Sequence, residues 1–97
     1  MNKSEIKNAW NTMKKEIKKE LGESYSYGFT MTSSQAEKGT ATKYISIDRK
    51  ESYKRAEVIA SSKAFQKFSG LVGGCTYKME TDSDGFFRMR FSYKAEA

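Results

Sequence analysis

Apolar residues recur at helical spacing over the first fifth of the chain, and no other sequence feature constrains the fold as strongly. They are separated by four, three, four and four residues, which at about 100° per residue places them on one stripe of an α-helix. The stripe consists of Ile6, Trp10, Met13, Ile17 and Leu21. Ser4 is a suitable N-cap and Gly22 a suitable stop. The pattern predicts an amphipathic helix over about residues 4–21, whose apolar stripe needs a second layer to cover it.

Farther along, the apolar period changes from helical spacing to two, which is typical of strands with one buried face. Residues 24–32 and 43–47 alternate in this way, and the second segment predicts Ile45 and Ile47 facing the core. The ten residues between them, 33–42, are small, polar and without periodicity. We therefore expect an exposed, mobile connection there.

The last third alternates twice more and predicts a hairpin whose register follows from its apolar residues. Tyr77, Met79 and Thr81 share a face with Phe87, Met89, Phe91 and Tyr93 only if Met79 lies opposite Met89. This register leaves residues 83–85 as a three-residue turn with Gly85 in the left-handed position. It also places Glu80 across from Arg88, which is favourable, and Lys78 across from Arg90, which is unfavourable without an anion.

Asp48 and Glu51 have capping-box spacing, so a second helix is predicted to begin there and to end at Ser69-Gly70. Its inward stripe is Ala56, Ile59, Ala60, Ala64 and Phe68. The predicted order is therefore α-β-β-α-β-β. We expect one α+β domain over residues 1–97, with two layers: a mainly antiparallel sheet and helices on one of its faces.

The aliphatic core of such a domain is thin. Leu, Ile, Val and Phe together number 15 of 97 residues, which is near the composition of disordered chains. Aromatic residues reach 13%, however, and each buries a large area. The sequence thus predicts a folded domain with an aromatic-rich core.

Missing residue types exclude most catalytic chemistry. The chain has no His, which removes Ser-His-Asp and Cys-His catalysis and His-ligated metals. Its lone cysteine, Cys75, excludes an internal disulfide and favours a buried strand position over a nucleophile. The Asp82–Gly85 segment lacks the later ligands of a calcium loop and indicates a tight turn. We expect no cofactor, no metal, no catalytic residues and no enzymatic activity.

No apolar run has the length of a signal peptide core or a membrane span, so we expect a cytoplasmic protein with no membrane partner. The formal net charge is +6, and it is concentrated on two predicted surfaces. One is the outward face of the sheet, with Tyr44, Lys78, Arg88, Arg90 and Lys94. The other is one flank of the first helix, with Lys7, Lys14, Lys15 and Lys18, opposite a flank of Glu5, Glu16 and Glu20.

Cations interleaved with an aromatic ring suit nucleic acid, because phosphates pair with the cations and bases stack on the ring. A lysine flank binds phosphates without sequence information, or meets an acidic protein surface. The alternative for both surfaces is that they are solvated charged faces without a partner. The predicted function is a non-enzymatic protein that binds nucleic acid or a nucleoprotein complex, and a strand at the sheet edge would also allow a homodimer.

In size, absence of catalytic motifs and sorting of surface charge, the whole chain resembles small phage-encoded or mobile-element anti-defence proteins, in particular anti-CRISPR proteins. The resemblance is one of overall type, and it implies an inhibitor that occupies a nucleoprotein surface in a bacterial host cell. Two alternatives remain open. One is a nucleic-acid-binding accessory protein; the other is a RelE-like ribonuclease toxin, for which the candidate residues are Arg88, Arg90, Tyr93 and Lys94.

Overall fold

The predicted α+β fold with an antiparallel sheet is confirmed. The computed structural model describes residues 1–94, and over this range the three longer helices pack against one face of a four-stranded sheet. The helices are α1 (Lys3–Leu21), α2 (Ser33–Lys38), α3 (Arg49–Ala60) and α4 (Lys63–Leu71), with a 3-10 helix at Glu23–Ser26. The strands are β1 (Phe29–Thr30), β2 (Thr40–Ser46), β3 (Cys75–Thr81) and β4 (Phe87–Tyr93), in the spatial order β1-β2-β4-β3.

Aromatic rings fill the centre of the core, as the composition predicts. Trp10 of α1 is fully buried, and its ring centroid lies 5.1 Å from that of Phe29, 5.5 Å from that of Phe68 and 5.2 Å from that of Phe91. One side chain therefore joins α1 to β1, β4 and α4. Contacts of this kind contribute beyond the area they bury, and they offset the shortage of aliphatic residues.

Helix α1 matches the prediction except at its N-cap. The cap is Asn2 rather than Ser4: the Asn2 side chain accepts a hydrogen bond from Glu5 N at 2.9 Å, and the Glu5 carboxylate accepts one from Asn2 N at 3.0 Å. This reciprocal pair satisfies two amide groups, whereas a Ser4 cap would shorten the helix. The helix ends at Gly22, as predicted.

The predicted strand over residues 24–32 is wrong for most of its length, since only Phe29 and Thr30 pair with β2. The segment before them is a 3-10 helix, in which the Ser26 hydroxyl donates to Glu23 O at 2.7 Å. The guanidinium of Arg55 lies 4.0 Å from the ring centroid of Tyr25 and holds this turn against α3. Local hydrogen bonds and one tertiary contact thus override the alternation of apolar residues.

The expected mobile connection at 33–42 is also wrong, because it contains α2 and the start of β2. Thr32 and Gln35 form a capping box at the beginning of α2, and Gly39 ends the helix in the left-handed conformation. Strand β2 then begins at Thr40, three residues earlier than predicted. A register shift between Tyr44 and Ser46 leaves Ile47 68% exposed, so its predicted core position is wrong, while Ile45 packs against the core.

The predicted second helix is two helices, broken at Ser61-Ser62. Its start is correct, since the Asp48 carboxylate accepts from Glu51 N at 2.7 Å. The Ser62 hydroxyl donates to Ile59 O at 2.6 Å and accepts from Phe65 N at 3.1 Å, which closes α3 and caps α4. The break rotates Phe65 into the core, although it lies off the stripe of an unbroken helix.

The hairpin register is confirmed at every predicted pair. Met79 lies opposite Met89 and Thr81 opposite Phe87, and Gly85 has a φ of 83° in the turn. Met89, Phe91 and Tyr93 are buried beneath the helices. The intervening residues of β4 consequently point to the face of the sheet away from the helix layer. Among residues 1–94, no helix is long and apolar enough to cross a membrane.

Candidate nucleic-acid interface

The sheet face opposite the helix layer brings most of the predicted site residues together. Arg88 pairs with Tyr44 of β2 and Glu80 of β3, and Arg90 pairs with Thr42 and Lys78. We call this surface the polar face: Thr42, Tyr44, Lys78, Glu80, Arg88 and Arg90. The alternation that buries Met89 and Phe91 is what directs the two arginines to it.

A single carboxylate lies among the cations of the polar face. Glu80 Oε2 is 3.4 Å from Arg88 Nη2, and Glu80 Oε1 is 3.7 Å from Arg90 Nη1. The predicted opposition of Lys78 and Arg90 is present, but Arg90 also reaches diagonally to Glu80. Three cations against one anion leave this patch with a net charge of +2.

Arg88 is held as a fixed cation at the centre of the patch. The Tyr44 hydroxyl, and after it the Glu80 carboxylate, raise the pKa of Arg88 against the opposing effect of partial burial. Tyr44 itself is 39% exposed, so its ring is open to a ligand. Arg90 and Lys78 are also exposed, whereas Arg88 is half-buried. The cations available to a ligand are therefore Arg90 and Lys78, beside an accessible tyrosine.

Helix α2 extends the polar face along one side. An open depression of about 280 Å³ is lined by Tyr44, Arg88 and Arg90, by Thr40 and Thr42 of β2, and by Ser34, Gln35 and Lys38 of α2. The Gln35 side-chain amide donates to Thr42 Oγ1 at 3.1 Å and fixes α2 beside the strand. Lys38 adds a fourth cation, which sequence reasoning missed because it assigned residues 33–42 to a mobile connection.

A second basic surface, predicted on the flank of α1, is present in part. Lys14, Lys15 and Lys18 are exposed and line an open groove of about 480 Å³ with Asn11, Glu23, Ser26 and Tyr27. We call this the α1 groove. Tyr27 is 60% exposed and follows the 3-10 helix, where the alternation of residues 24–32 predicts a strand with one buried face. Lys7 lies apart from the groove, with its Nζ 3.5 Å from Ser33 Oγ of α2.

The sorting of charge on α1 has a structural cause on its acidic side. Glu16 pairs with Lys67 at 3.0 Å, and the Glu20 carboxylate accepts from Lys63 N at 2.9 Å and Ala64 N at 3.1 Å. Glu20 thereby caps α4 from another helix. The acidic flank is used in helix packing, whereas the lysines of the α1 groove stay exposed, with Lys18 Nζ 3.8 Å from Glu23 Oε1.

Lys94 is not brought to the polar face. It follows the last paired residue of β4 and lines a separate groove with Ile6 and Leu71 of the helix layer. Tyr93 is buried in the core, and its hydroxyl donates to Ala36 O at 3.4 Å. The four residues considered for a ribonuclease are thus divided between the two sides of the sheet.

Two further observations bear on the chemistry available. Burial raises the pKa of the Cys75 thiol to about 11, so the thiolate that a nucleophile requires is disfavoured at neutral pH. Within the described part of the chain, no group of three His, Cys, Asp or Glu side chains is placed to hold a metal ion.

No known protein family matches the chain, and no curated protein or solved structure is significantly similar to it.

Proposed function

We propose that this protein is a non-enzymatic nucleic-acid-binding protein and that the polar face is its primary binding surface. The observation that carries the proposal is the cluster of Lys78, Arg88 and Arg90 around one carboxylate, next to an accessible Tyr44 on a sheet face that the helix layer leaves uncovered.

The chemistry of the polar face matches the two parts of a nucleotide. Guanidinium and ammonium groups pair with phosphate oxygens, and the Arg90 side chain is 52% exposed although its Nη1 also reaches Glu80. The ring of Tyr44 offers a stacking surface, and the exposed Lys38 of α2 adds a cation on the same depression. Such a surface binds through backbone charge and stacking, and it does not require a particular base sequence.

An acidic protein surface is the second candidate partner, since exposed lysines also speed electrostatic association with such a surface. The resemblance of the sequence to small anti-defence proteins implies an inhibitor of a nucleoprotein complex. Such a complex would offer this protein both phosphates and an acidic protein surface. That role, a bacterial host and a cytoplasmic location stay predictions. The ribonuclease alternative is less well supported, because Tyr93 lies in the core, away from Arg88 and Arg90.

The test is fluorescence anisotropy of labelled oligonucleotides at low salt, comparing the wild type with the double variant Lys78→Ala/Arg90→Ala. Both side chains are exposed, so the variant should fold. The control is Lys50→Ala/Lys54→Ala, which removes the same charge from exposed positions of α3 outside both basic surfaces.

We expect the polar-face variant to lose on the order of tenfold in affinity at about 0.1 M salt. For a single strand, each phosphate contact adds about 0.7 to the slope with which the logarithm of affinity falls against the logarithm of salt concentration, and the variant removes two such contacts. The control should lose less than about threefold. Equal losses in the two variants would mean that binding follows net charge alone and would refute the polar face as a site. RNA cleavage abolished by Arg88→Ala would instead support the toxin.

A further inference from the structure

We propose that the polar face and the α1 groove form one track for a single nucleic-acid strand, which bends around the sheet edge formed by β1 and β2. The inference rests on the proposed function, and it specifies the ligand as single-stranded. It is carried by the geometry of the edge between the two surfaces.

The two surfaces meet at a rigid edge, because the backbones that carry Tyr27 and Tyr44 are joined there. The Nζ of Lys43 donates both to Tyr27 O and to Tyr44 O, and Tyr44 N donates to Gly28 O at 3.0 Å. Gly28 has a φ of 76°, and a Cβ at that position would lie 2.8 Å from Tyr44 O. Only glycine therefore permits this close approach of the two chains.

Each surface places an accessible tyrosine beside its cations. Tyr27 lines the α1 groove with Lys14, Lys15 and Lys18, and Tyr44 lines the depression on the polar face with Arg88 and Arg90. The two rings belong to different surfaces, yet one buried ammonium contacts the carbonyl groups of both residues. The lysines of the α1 groove and the Tyr27 ring thus lie on one side of the edge, and the Tyr44 ring and the arginines of the polar face lie on the other. Alternating cations and aromatic rings of this kind are typical of single-strand channels.

The dimensions of the molecule select a flexible ligand. The described part of the chain extends 37 × 30 × 17 Å along its principal axes, and the backbone carbonyl groups of Tyr27 and Tyr44 meet at one ammonium, so a ligand that contacts both surfaces must turn over a short distance. Duplex DNA has a persistence length of about 500 Å and resists such a turn. A single strand makes it readily, and a duplex can reach only one surface at a time.

The test compares oligothymidylates of about 5 and about 15 nucleotides, and both lengths lie within the range of known single-strand site sizes. A duplex of the longer length is the third ligand. Each ligand is titrated with the wild type, with Lys14→Ala/Lys18→Ala in the α1 groove, with Lys78→Ala/Arg90→Ala, and with the control Lys50→Ala/Lys54→Ala. Tyr27→Ala is compared with Tyr27→Phe, since a phenyl ring retains stacking.

We expect Lys14→Ala/Lys18→Ala to bind the longer strand on the order of tenfold more weakly than the wild type does. The same variant should bind the short strand less than about threefold more weakly. Tyr27→Ala should weaken binding of the long strand by a similar factor, and Tyr27→Phe should restore it. The long strand should also bind more tightly than the duplex.

The track is refuted if long and short strands bind equally, if the duplex binds as tightly as the single strand, or if the groove variant behaves as the control does. In each of these cases a loss of affinity in Lys78→Ala/Arg90→Ala would leave the proposed function intact. Absence of binding by every oligonucleotide at low salt would refute both.

Discussion

Lys43 is a buried ammonium on the core face of β2. It is 2% exposed, donates to two backbone carbonyl groups, and its Nζ lies 5.4 Å from the ring centroid of Phe29. Burial, with a smaller contribution from the charge of Arg55, lowers the pKa of Lys43 to about 8. The same residue that joins the two strands of the edge therefore makes the fold sensitive to pH.

Because the folded pKa lies below the ordinary value of 10.5, the unfolded chain binds this proton more tightly than the folded chain. The free-energy cost of burying the protonated Lys43 side chain is complete below pH about 8, and it is relieved as the pH rises toward 10.5. The free energy of unfolding should increase by about 1 kcal/mol between pH 7 and pH 9 from Lys43 alone. Above pH 9 the Cys75 thiol, with its raised pKa, acts in the opposite direction.

Chemical denaturation of the wild type and of Lys43→Met at pH 7 and pH 9 measures this contribution. The difference in stability between the two proteins should change by about 1 kcal/mol across the interval, in favour of the wild type at the higher pH. A difference that is the same at both pH values would contradict the assignment.

Glu80 is the one carboxylate of the polar face, and its removal should strengthen the binding surface. In Glu80→Gln, the cations lose their competing anion, so oligonucleotide affinity should increase several-fold at low salt. The accompanying loss of stability should stay below about 1 kcal/mol, since the ion pairs are partly exposed. Glu57→Gln, at an exposed position of α3, is the matched control and should change neither property. Weaker oligonucleotide binding by Glu80→Gln would contradict the proposal.

At the scale of elements, the short strand β1 depends on one backbone contact. Gly28 and Gly73 have nearly equal φ values of 76° and 77°, but an added Cβ meets Tyr44 O at 2.8 Å at Gly28 and nothing within 4 Å at Gly73. Gly73→Ala should cost about 1–2 kcal/mol from its left-handed backbone alone. Gly28→Ala should cost at least about 1 kcal/mol more, and it should detach β1 from β2.

Thermal melting of the two variants, with amide exchange of Tyr44, checks this prediction. Faster exchange of the Tyr44 amide in Gly28→Ala alone is the expected signature, since this amide donates to Gly28 O. Equal destabilisation without a change at Tyr44 would show that the close approach does not hold the edge.

The elements differ in how far the sequence predicts them, and the difference follows from where their stabilising contacts lie. Helix α1 and the β3–β4 hairpin bury an uninterrupted apolar pattern, so their type and register follow from periodicity alone. Helix α2 is too short for a period, but Thr32 and Gln35 carry its capping box, a signal that was present in the sequence. The 3-10 turn at Glu23–Ser26 depends on the stacking of Arg55 on Tyr25, which no local pattern encodes.

The candidate site shows the same division. Tyr44, Lys78, Arg88 and Arg90 were predicted together because strand alternation places them on one face. Lys38 and Tyr27 were missed because the helix and the turn that present them were not predicted. Lys94 was misplaced, since alternation ceases to apply where β4 ends.

On the scale of the whole molecule, acidic side chains are used where helices pack together, and cations cluster on two exposed surfaces. The acidic residues Glu16 and Glu20 are used between α1 and α4, and two clusters of accessible cations lie on the polar face and along the α1 groove. Strand β3 forms one edge of the sheet, so pairing between two copies would extend the polar face. The predicted homodimer is a separate proposal, and sedimentation of the free protein tests it.

Nucleic-acid binding at the polar face is tested most directly by titrating the isotopically labelled protein with an oligothymidylate and following its amide resonances. We expect the largest shifts on residues 42–44, 76–80 and 88–92 of the sheet, with a second set at residues 14–18 and at Tyr27. These shifts should diminish as salt is raised. Shifts confined to α3 and α4, or no shifts at low salt, would refute the polar face as a nucleic-acid-binding surface.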